Sequence, residues 1–298
     1  MNRDCPPLFS HLCEPVETVL SLEKTFPWAE RHWRVPAAYV CGKGLLIDFC
    51  MRADADELCA FMRKWRLSPE NDDSSAFSPE EQLLLNAENP LTLDFTPTLS
   101  VNGQPLYASE SASASFNPCL PRCEARLARV MLHYGLKDTF GWVVTRVLFP
   151  WRDQRPAALH SIELFLKRTP ASLPGPRFTV HAPGDALRFT HPFTGTAHTL
   201  TALSLEAQTL PEAAIRHGYP PHLTLLRYAL DPEPAEPIQL SDASEGDRPS
   251  SALAFFIGCA DGSHVASSSP RFSPVAGAIE WRMTYRSSPC DDFSLSLL

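Results

Sequence analysis

The chain has 298 residues, of which 44% are apolar and 20% are charged, and its formal net charge is −8. This is an ordinary globular composition with enough apolar residues for a sizeable core, and the length favours two domains. A negative chain has no overall electrostatic attraction for nucleic acid or for an anionic membrane, so we expect neither as a partner. No apolar run reaches the roughly 18 residues that a membrane-spanning helix needs, and no signal-peptide segment is recognised.

Proline and cysteine add two expectations. The 29 prolines are excluded from helix interiors and central strands, so they indicate many loops between short strands and hence a β-rich fold. The nine cysteines are scattered and include no Cys-x-x-Cys pair. We therefore expect nine free thiols in a protein of the reducing cytoplasm.

The first clear elements along the chain are two helices between Asp54 and Asn89. Helical spacing of apolar side chains predicts the first helix, with the residues Leu58, Phe61, Met62 and Trp65. The segment Ser78-Pro79-Glu80-Glu81 is a capping box with proline at the first helical position, and it predicts the start of the second helix.

Strand patterns dominate the rest of the chain. Asn102-Gly103 predicts a tight β-hairpin, and Tyr107–Phe116 alternates between alanine and serine faces.

The segment Arg122–Tyr134 fits helical spacing, but its counterpart later in the chain is strand-like, and we favour a strand. A turn at Pro192–Gly195 is expected between two strands. The strands predicted in the second half are Leu187–Thr190, His198–Leu205, Leu223–Leu230, Leu253–Ile257 and Ile279–Tyr285.

Three sequence landmarks occur twice in the same order. The pairs are Phe26-Pro27-Trp28 with Phe149-Pro150-Trp151, Leu93–Pro97 with Leu187–Pro192, and Met131–Leu136 with Leu225–Leu230. The last two pairs share one offset of 94 residues. We therefore predict a mainly β protein of two tandem, internally duplicated β-sandwich or barrel-like domains. Residues 1–137 would be copy one, with a helical insertion at about 54–89, and residues 138–298 would be copy two with a C-terminal extension.

The candidate metal ligands are His181, His191 and His198. Histidines on neighbouring strands can converge on a metal ion, and neutral imidazole is a common ligand. The set lacks a tight His-x-His pair with a following glutamate, and His191 falls in the predicted turn. We therefore expect structural or surface histidines with no bound metal, and a three-histidine metal site is the alternative.

Other chemistry-bearing residues favour structural interpretations. Asp48 and Glu163 lie within strand-like apolar runs, and a half-exposed strand face accounts for both. Four tryptophans precede an arginine, and exposed tryptophan beside arginine can bind sugars. We favour buried tryptophans with solvated arginines. The four pairs begin at Trp33, Trp65, Trp151 and Trp281.

No residue is predicted to be catalytic or to bind a cofactor. The duplicated β architecture without a catalytic motif predicts a non-enzymatic intracellular binding or interaction protein. The sequence does not identify the ligand, for which a protein and a carbohydrate are both candidates. The alternative is a metal-dependent enzyme or metal-binding β-barrel protein that uses His181, His191 and His198.

Overall fold

A computed structural model describes nine ranges of the chain, and the mainly β prediction is confirmed. Strands make up 54% and helices 13% of the structure. Within the described ranges, no helix is both long enough and apolar enough to cross a membrane. The ranges are 15–68, 77–120, 123–152, 154–210, 220–236, 238–243, 263–274, 277–286 and 292–298.

Sixteen strands and three helices occur in the part of the chain that the structure describes. In chain order they are β1 (Val16–Trp28), β2 (Arg31–Cys41), β3 (Gly44–Ala53), α1 (Ala55–Trp65), α2 (Pro79–Glu88), β4 (Phe95–Val101), β5 (Gln104–Tyr107), β6 (Glu110–Phe116), α3 (Ala125–Tyr134), β7 (Gly141–Pro150), β8 (Ile162–Arg168), β9 (Ser172–Val180), β10 (Ala186–Thr190), β11 (Ala197–Thr209), β12 (His222–Asp231), β13 (Ile238–Asp242), β14 (His264–Ser267), β15 (Ile279–Arg286) and β16 (Phe293–Ser296).

The first compact unit, unit 1, comprises Met1–Pro170 and Pro289–Leu298. It contains a five-stranded antiparallel sheet in the order β1-β2-β3-β7-β6 and a four-stranded antiparallel sheet in the order β16-β8-β4-β5. Side chains from both sheets, such as Phe49 and Leu164, form one hydrophobic core. Helix α3 packs against other side chains of the five-stranded sheet, including Cys50 and Val144.

The second compact unit, unit 2, comprises Ala171–Ser288. It contains a four-stranded sheet in the order β10-β11-β12-β14 and a three-stranded sheet in the order β13-β15-β9. Leu226 of β12 and Trp281 of β15 are fully buried in one core to which both sheets contribute. Strands β10 and β11, which form the hairpin that carries two of the candidate histidines, contribute side chains to this core.

The two predicted helices are present between Asp54 and Asn89. Helix α1 buries three residues of the predicted apolar stripe, Leu58, Phe61 and Met62. Helix α2 begins at the predicted capping box, in which the Glu81 N–H donates to Ser78 Oγ at 3.3 Å and the Ser78 N–H donates to Glu81 Oε2 at 2.8 Å. The capping box therefore sets the start of α2, and the apolar stripe sets the buried face of α1.

The predicted turns and most of the predicted strands are confirmed. Asn102 and Gly103 join β4 to β5 with φ values of 50° and 81°, the positive values that a type I′ turn requires. The turn at Pro192–Gly195 joins β10 to β11, and β12 and β15 lie where strands were expected. The predicted strand Leu253–Ile257 lies outside the described residues.

The strand predicted at Arg122–Tyr134 is wrong, because the structure has helix α3 there. Side chains at helical spacing face the core, namely Leu127, Val130, Met131 and Tyr134. Gly135 ends the helix in the left-handed conformation with φ 61°, which glycine adopts without steric cost. The strand prediction came from the supposed counterpart at Leu225–Leu230, which is indeed strand β12.

Two of the repeated landmark pairs lie in helix α3, in strand β12 and at the core of unit 1. Met131–Leu136 includes the end of α3, whereas Leu225–Leu230 lies in β12. Trp28 and Trp151 both contact the core of unit 1. Strand β7, part of the predicted second copy, pairs with β3 and β6 of the first. The duplication, with copies at 1–137 and 138–298, stays a prediction.

The expectation of nine free thiols is wrong for two cysteines. Cys59 of α1 and Cys119, which follows β6, form a disulfide. The scattered sequence spacing gave no sign of it, because the bond joins residues 60 positions apart. Among the described cysteines outside the disulfide, Cys41 and Cys50 are buried thiols and Cys123 is an exposed one.

Candidate functional site

The structure brings together two of the three candidate histidines. His191 directly follows β10 and His198 lies in β11, and their ring centroids are 6.2 Å apart. His181 is exposed, and its backbone N–H donates to the Asp185 carboxylate at 2.7 Å. No group of three or more potential metal ligands occurs among the described residues. The three histidines therefore do not form the ligand set that the alternative interpretation required.

His191 is fully buried in an apolar environment. Neither of its ring nitrogens has a hydrogen-bond partner among the described residues, and the Tyr285 ring lies 5.1 Å away between centroids. By contrast, His198 Nδ1 lies 2.6 Å from the Pro232 carbonyl oxygen. Burial lowers the pKa of His191, the nearby His198 lowers it further, and Glu236 opposes the shift. His191 is therefore suited to packing as a neutral ring.

Asp48 belongs to a buried polar network rather than to a half-exposed strand face, so that expectation is wrong for this residue. Both Asp48 oxygens accept hydrogen bonds from Arg146, from Nε at 2.7 Å and from Nη2 at 2.7 Å, and both side chains are fully buried. Tyr134 Oη donates to Asp48 at 2.5 Å and lies 2.6 Å from Tyr39 Oη. Glu163, by contrast, is exposed on β8 as expected.

The network is closed to a substrate. Burial and the Asp48 carboxylate both raise the pKa of Tyr134 far above its ordinary value, so the phenol stays protonated and serves as a donor. Burial, followed by the Asp48 charge, also raises the pKa of the neighbouring Cys50 thiol well above its ordinary value. These groups therefore hold α3 and the five-stranded sheet together, and none of them offers a reactive atom to solvent.

None of the four tryptophans that precede an arginine has a fully exposed side chain. Trp33 and Trp281 are buried in the cores of units 1 and 2, and Trp65 and Trp151 are half-buried. The interpretation of these residues as core anchors fits the structure for the first two.

Unit 1 carries a surface groove of about 450 Å³ beside strand β6. The wall is the chain from Leu91 to Pro97, which includes the start of β4, and the floor is formed by β6 and β7. The lining residues are Leu91–Pro97, Ala108, Ser111, Ser113, Val143, Thr145 and Val147. We call this feature the β6 groove.

The floor of the β6 groove combines hydroxyl and aliphatic groups. Ser113 and Thr145 are cross-strand partners, and their hydroxyl oxygens lie 2.7 Å apart. Val147 is buried in the core of unit 1, whereas Val143 and Thr145 are half-buried. These three residues share one face of β7. That face is buried in the core at Val147 and forms the partly exposed floor of the groove at Val143 and Thr145.

Unpaired strand edges border the β6 groove on both sides. Among the described residues, β6 pairs only with β7, so its outer edge has no partner strand. On the other side, β5 pairs with Thr98–Val101 of β4 and leaves Phe95–Pro97 paired on one side only, with β8. An open edge presents unpaired N–H and C=O groups that can bind another extended chain.

Sequence reasoning found strand β6 but missed the groove. The alternation of serine with alanine correctly placed the serines on one face, and Ser111, Ser113 and Ser115 are exposed. A strand with such small side chains and a single charge, at Glu110, lacks the usual protection of an edge, and this was the available signal. Comparison of the chain with protein-family models, with curated proteins and with solved structures finds no match.

Proposed function

We propose that the protein is a non-enzymatic binding protein that takes up an extended polypeptide segment in the β6 groove. The segment adds to the outer edge of β6 as a further antiparallel or parallel strand. The observation that carries the proposal is an unpaired edge, free of partners among the described strands, running along a groove of about 450 Å³.

Backbone chemistry supports a peptide as the ligand. Alternate residues of β6 direct their N–H and C=O groups away from β7, and an extended backbone supplies the complementary groups at the same repeat. The groove then receives every second side chain of the added strand. The small serine side chains at positions 111 and 113 leave room for this.

Selection from a displayed library of random heptapeptides tests the proposal. Ser113→Tyr places a phenol in the groove on an exposed strand position, so it should abolish binding of the selected peptides without unfolding the protein. Glu110→Tyr is the matched control, because Glu110 is also exposed on β6 but does not line the groove. Equal binding by both variants would contradict the proposal.

A carbohydrate is the second candidate ligand, at a different place on unit 1. Tyr107 and Phe165 are 66% and 43% exposed and lie on either side of Thr98 across neighbouring strands. Two strand spacings separate the rings by about 10 Å. Aromatic rings in a row flanked by hydroxyl groups can stack against sugars.

A glycan array tests the carbohydrate candidate. Replacement of both Tyr107 and Phe165 by alanine should remove any glycan signal, because it removes both stacking surfaces. Phe272→Ala is the matched control, since Phe272 is 62% exposed in unit 2. A glycan signal that survives the double replacement would exclude this surface.

We also propose that the two units are β-sandwiches related by a duplication. Each unit has two sheets that share one core, which supports two β-sandwich units. The common offset of 94 residues supports a duplication, and the second landmark pair overlaps strands β4 and β10. Superposition of separately determined units, with β4 matched to β10, tests that relationship.

We also propose a cytoplasmic location, because three of the described cysteines, Cys41, Cys50 and Cys123, lie outside any disulfide. Because the cytoplasm keeps thiols reduced, that location requires Cys59 and Cys119 to be reduced in the cell. Alkylation of thiols at the moment of lysis tests it. A disulfide already present in the cell would place the protein in an oxidising compartment.

A further inference from the structure

The β6 groove has a single charged lining residue, Asp94. Every other lining side chain is aliphatic, aromatic, hydroxyl-bearing or proline. Asp94 is exposed, and its carboxylate forms no salt bridge with another described residue. The carboxylate is therefore accessible on a residue that lines the groove.

The backbone around Asp94 is fixed. Its carbonyl oxygen accepts a hydrogen bond from the Thr169 N–H at 2.9 Å, directly before β4 begins. The chain alternates there, with half-buried Leu93 and Phe95 on one side and exposed Thr92, Asp94 and Thr96 on the other. The carboxylate thus projects from an anchored segment between two threonines, whose oxygens can accept further hydrogen bonds from a cation.

We propose, on the basis of the function proposed above, that the β6 groove selects extended segments in which a lysine or arginine side chain pairs with Asp94. The neighbouring side chains of such a segment are uncharged and fit against Ser111, Ser113 and Thr145. Acidic segments are disfavoured, because the groove offers them no positive group and the whole chain has a net charge of −8.

Three heptapeptides and three proteins test the charge preference. The peptides alternate threonine and valine and carry lysine, glutamine or glutamate at the centre, so that the central side chain shares a face with the valines. Fluorescence anisotropy measures their affinity for the full chain, for Asp94→Asn and for Glu110→Gln. Glu110 is the matched control, because it is an exposed carboxylate on the same edge strand outside the groove.

The full chain should bind the lysine peptide about two- to fivefold more tightly than the glutamine peptide, as expected for an exposed ion pair. The glutamate peptide should bind most weakly. The lysine advantage should disappear in Asp94→Asn, persist in Glu110→Gln, and shrink as the salt concentration rises. An equal lysine advantage in the full chain and in Asp94→Asn would overturn the inference.

The same measurement with Ser113→Tyr as a fourth protein separates the two proposals. If all three peptides bind the full chain equally and Ser113→Tyr abolishes that binding, the charge preference fails and peptide binding in the groove stands. If no peptide binds, or if binding survives Ser113→Tyr, the groove is not a peptide site and both proposals fail. A lysine advantage that is lost in Asp94→Asn supports both.

Discussion

At the scale of single residues, the strongest interactions join positions that are far apart in the sequence. Asp48 and Arg146 are 98 residues apart and meet only because β7 inserts beside β3. Sequence patterns identified Asp48 as a strand residue. Its burial and its ion pair with Arg146 depend on the pairing of β7 with β3, which no local pattern indicates. Glu163 looked equivalent in the sequence and is exposed, which makes it a natural control.

Asp48→Asn should destabilise unit 1 by about 3–5 kcal/mol, because it leaves the buried Arg146 guanidinium without its countercharge. Glu163→Gln should change the free energy of unfolding by less than about 0.5 kcal/mol. Urea unfolding followed by tryptophan fluorescence measures both, since five of the six tryptophans lie in unit 1. A cost for Asp48→Asn near that of the control would show that the ion pair is not formed.

His191 should make the stability of unit 2 depend on pH. Burial lowers its folded-state pKa, so below the unfolded value of about 6.5 the unfolded chain binds a proton that the folded chain refuses. Stability should therefore fall as the pH drops below about 6.5, and His191→Leu should flatten that fall. The fluorotryptophan NMR signal of Trp281, the one tryptophan of unit 2, follows the unfolding.

The matched control for this pH dependence is His181→Leu, because His181 is exposed. That variant should keep the pH profile of the unchanged chain. A profile that is the same in all three proteins would mean that His191 is hydrated or hydrogen-bonded in solution.

At the scale of elements, sequence signals that act within a few residues predicted helix starts and turns correctly. Features that depend on which strands pair with each other were not predicted. The capping box at Ser78 and the Asn102-Gly103 turn each act within a few residues, and both are present. The sequence predicts a strand in place of α3 only through its supposed counterpart Leu225–Leu230, whereas its own apolar spacing is helical. The β6 groove was missed because it depends on which strands become edges, and no local pattern encodes that.

The disulfide between Cys59 and Cys119 ties α1 to the segment after β6. Replacement of both cysteines by serine should destabilise unit 1 by about 2–4 kcal/mol, because the bond closes a long loop in the unfolded chain. Cys123→Ser should be close to neutral, since that thiol is exposed and free. Urea unfolding without reductant measures the difference, and full alkylation of Cys59 and Cys119 in the native protein would contradict the bond.

At the scale of the whole molecule, the mainly β class followed from composition and strand patterns, whereas the grouping of strands did not. Unit 1 includes β16 from the C-terminal end of the chain, which pairs with β8. Contiguous copies at 1–137 and 138–298 could not anticipate that return. The proposed binding role rests on an edge of β6 that has no partner among the described strands and that lies beside a groove.

Backbone-amide hydrogen exchange of β6 tests the central claim most directly. In the free protein, alternate amides of Glu110–Phe116 should exchange slowly, because they donate to β7, and the amides between them should exchange fast. Addition of a selected peptide should slow the fast set in the full chain and leave it unchanged in Ser113→Tyr. Fast-set amides that stay fast at saturating peptide would contradict strand addition at β6.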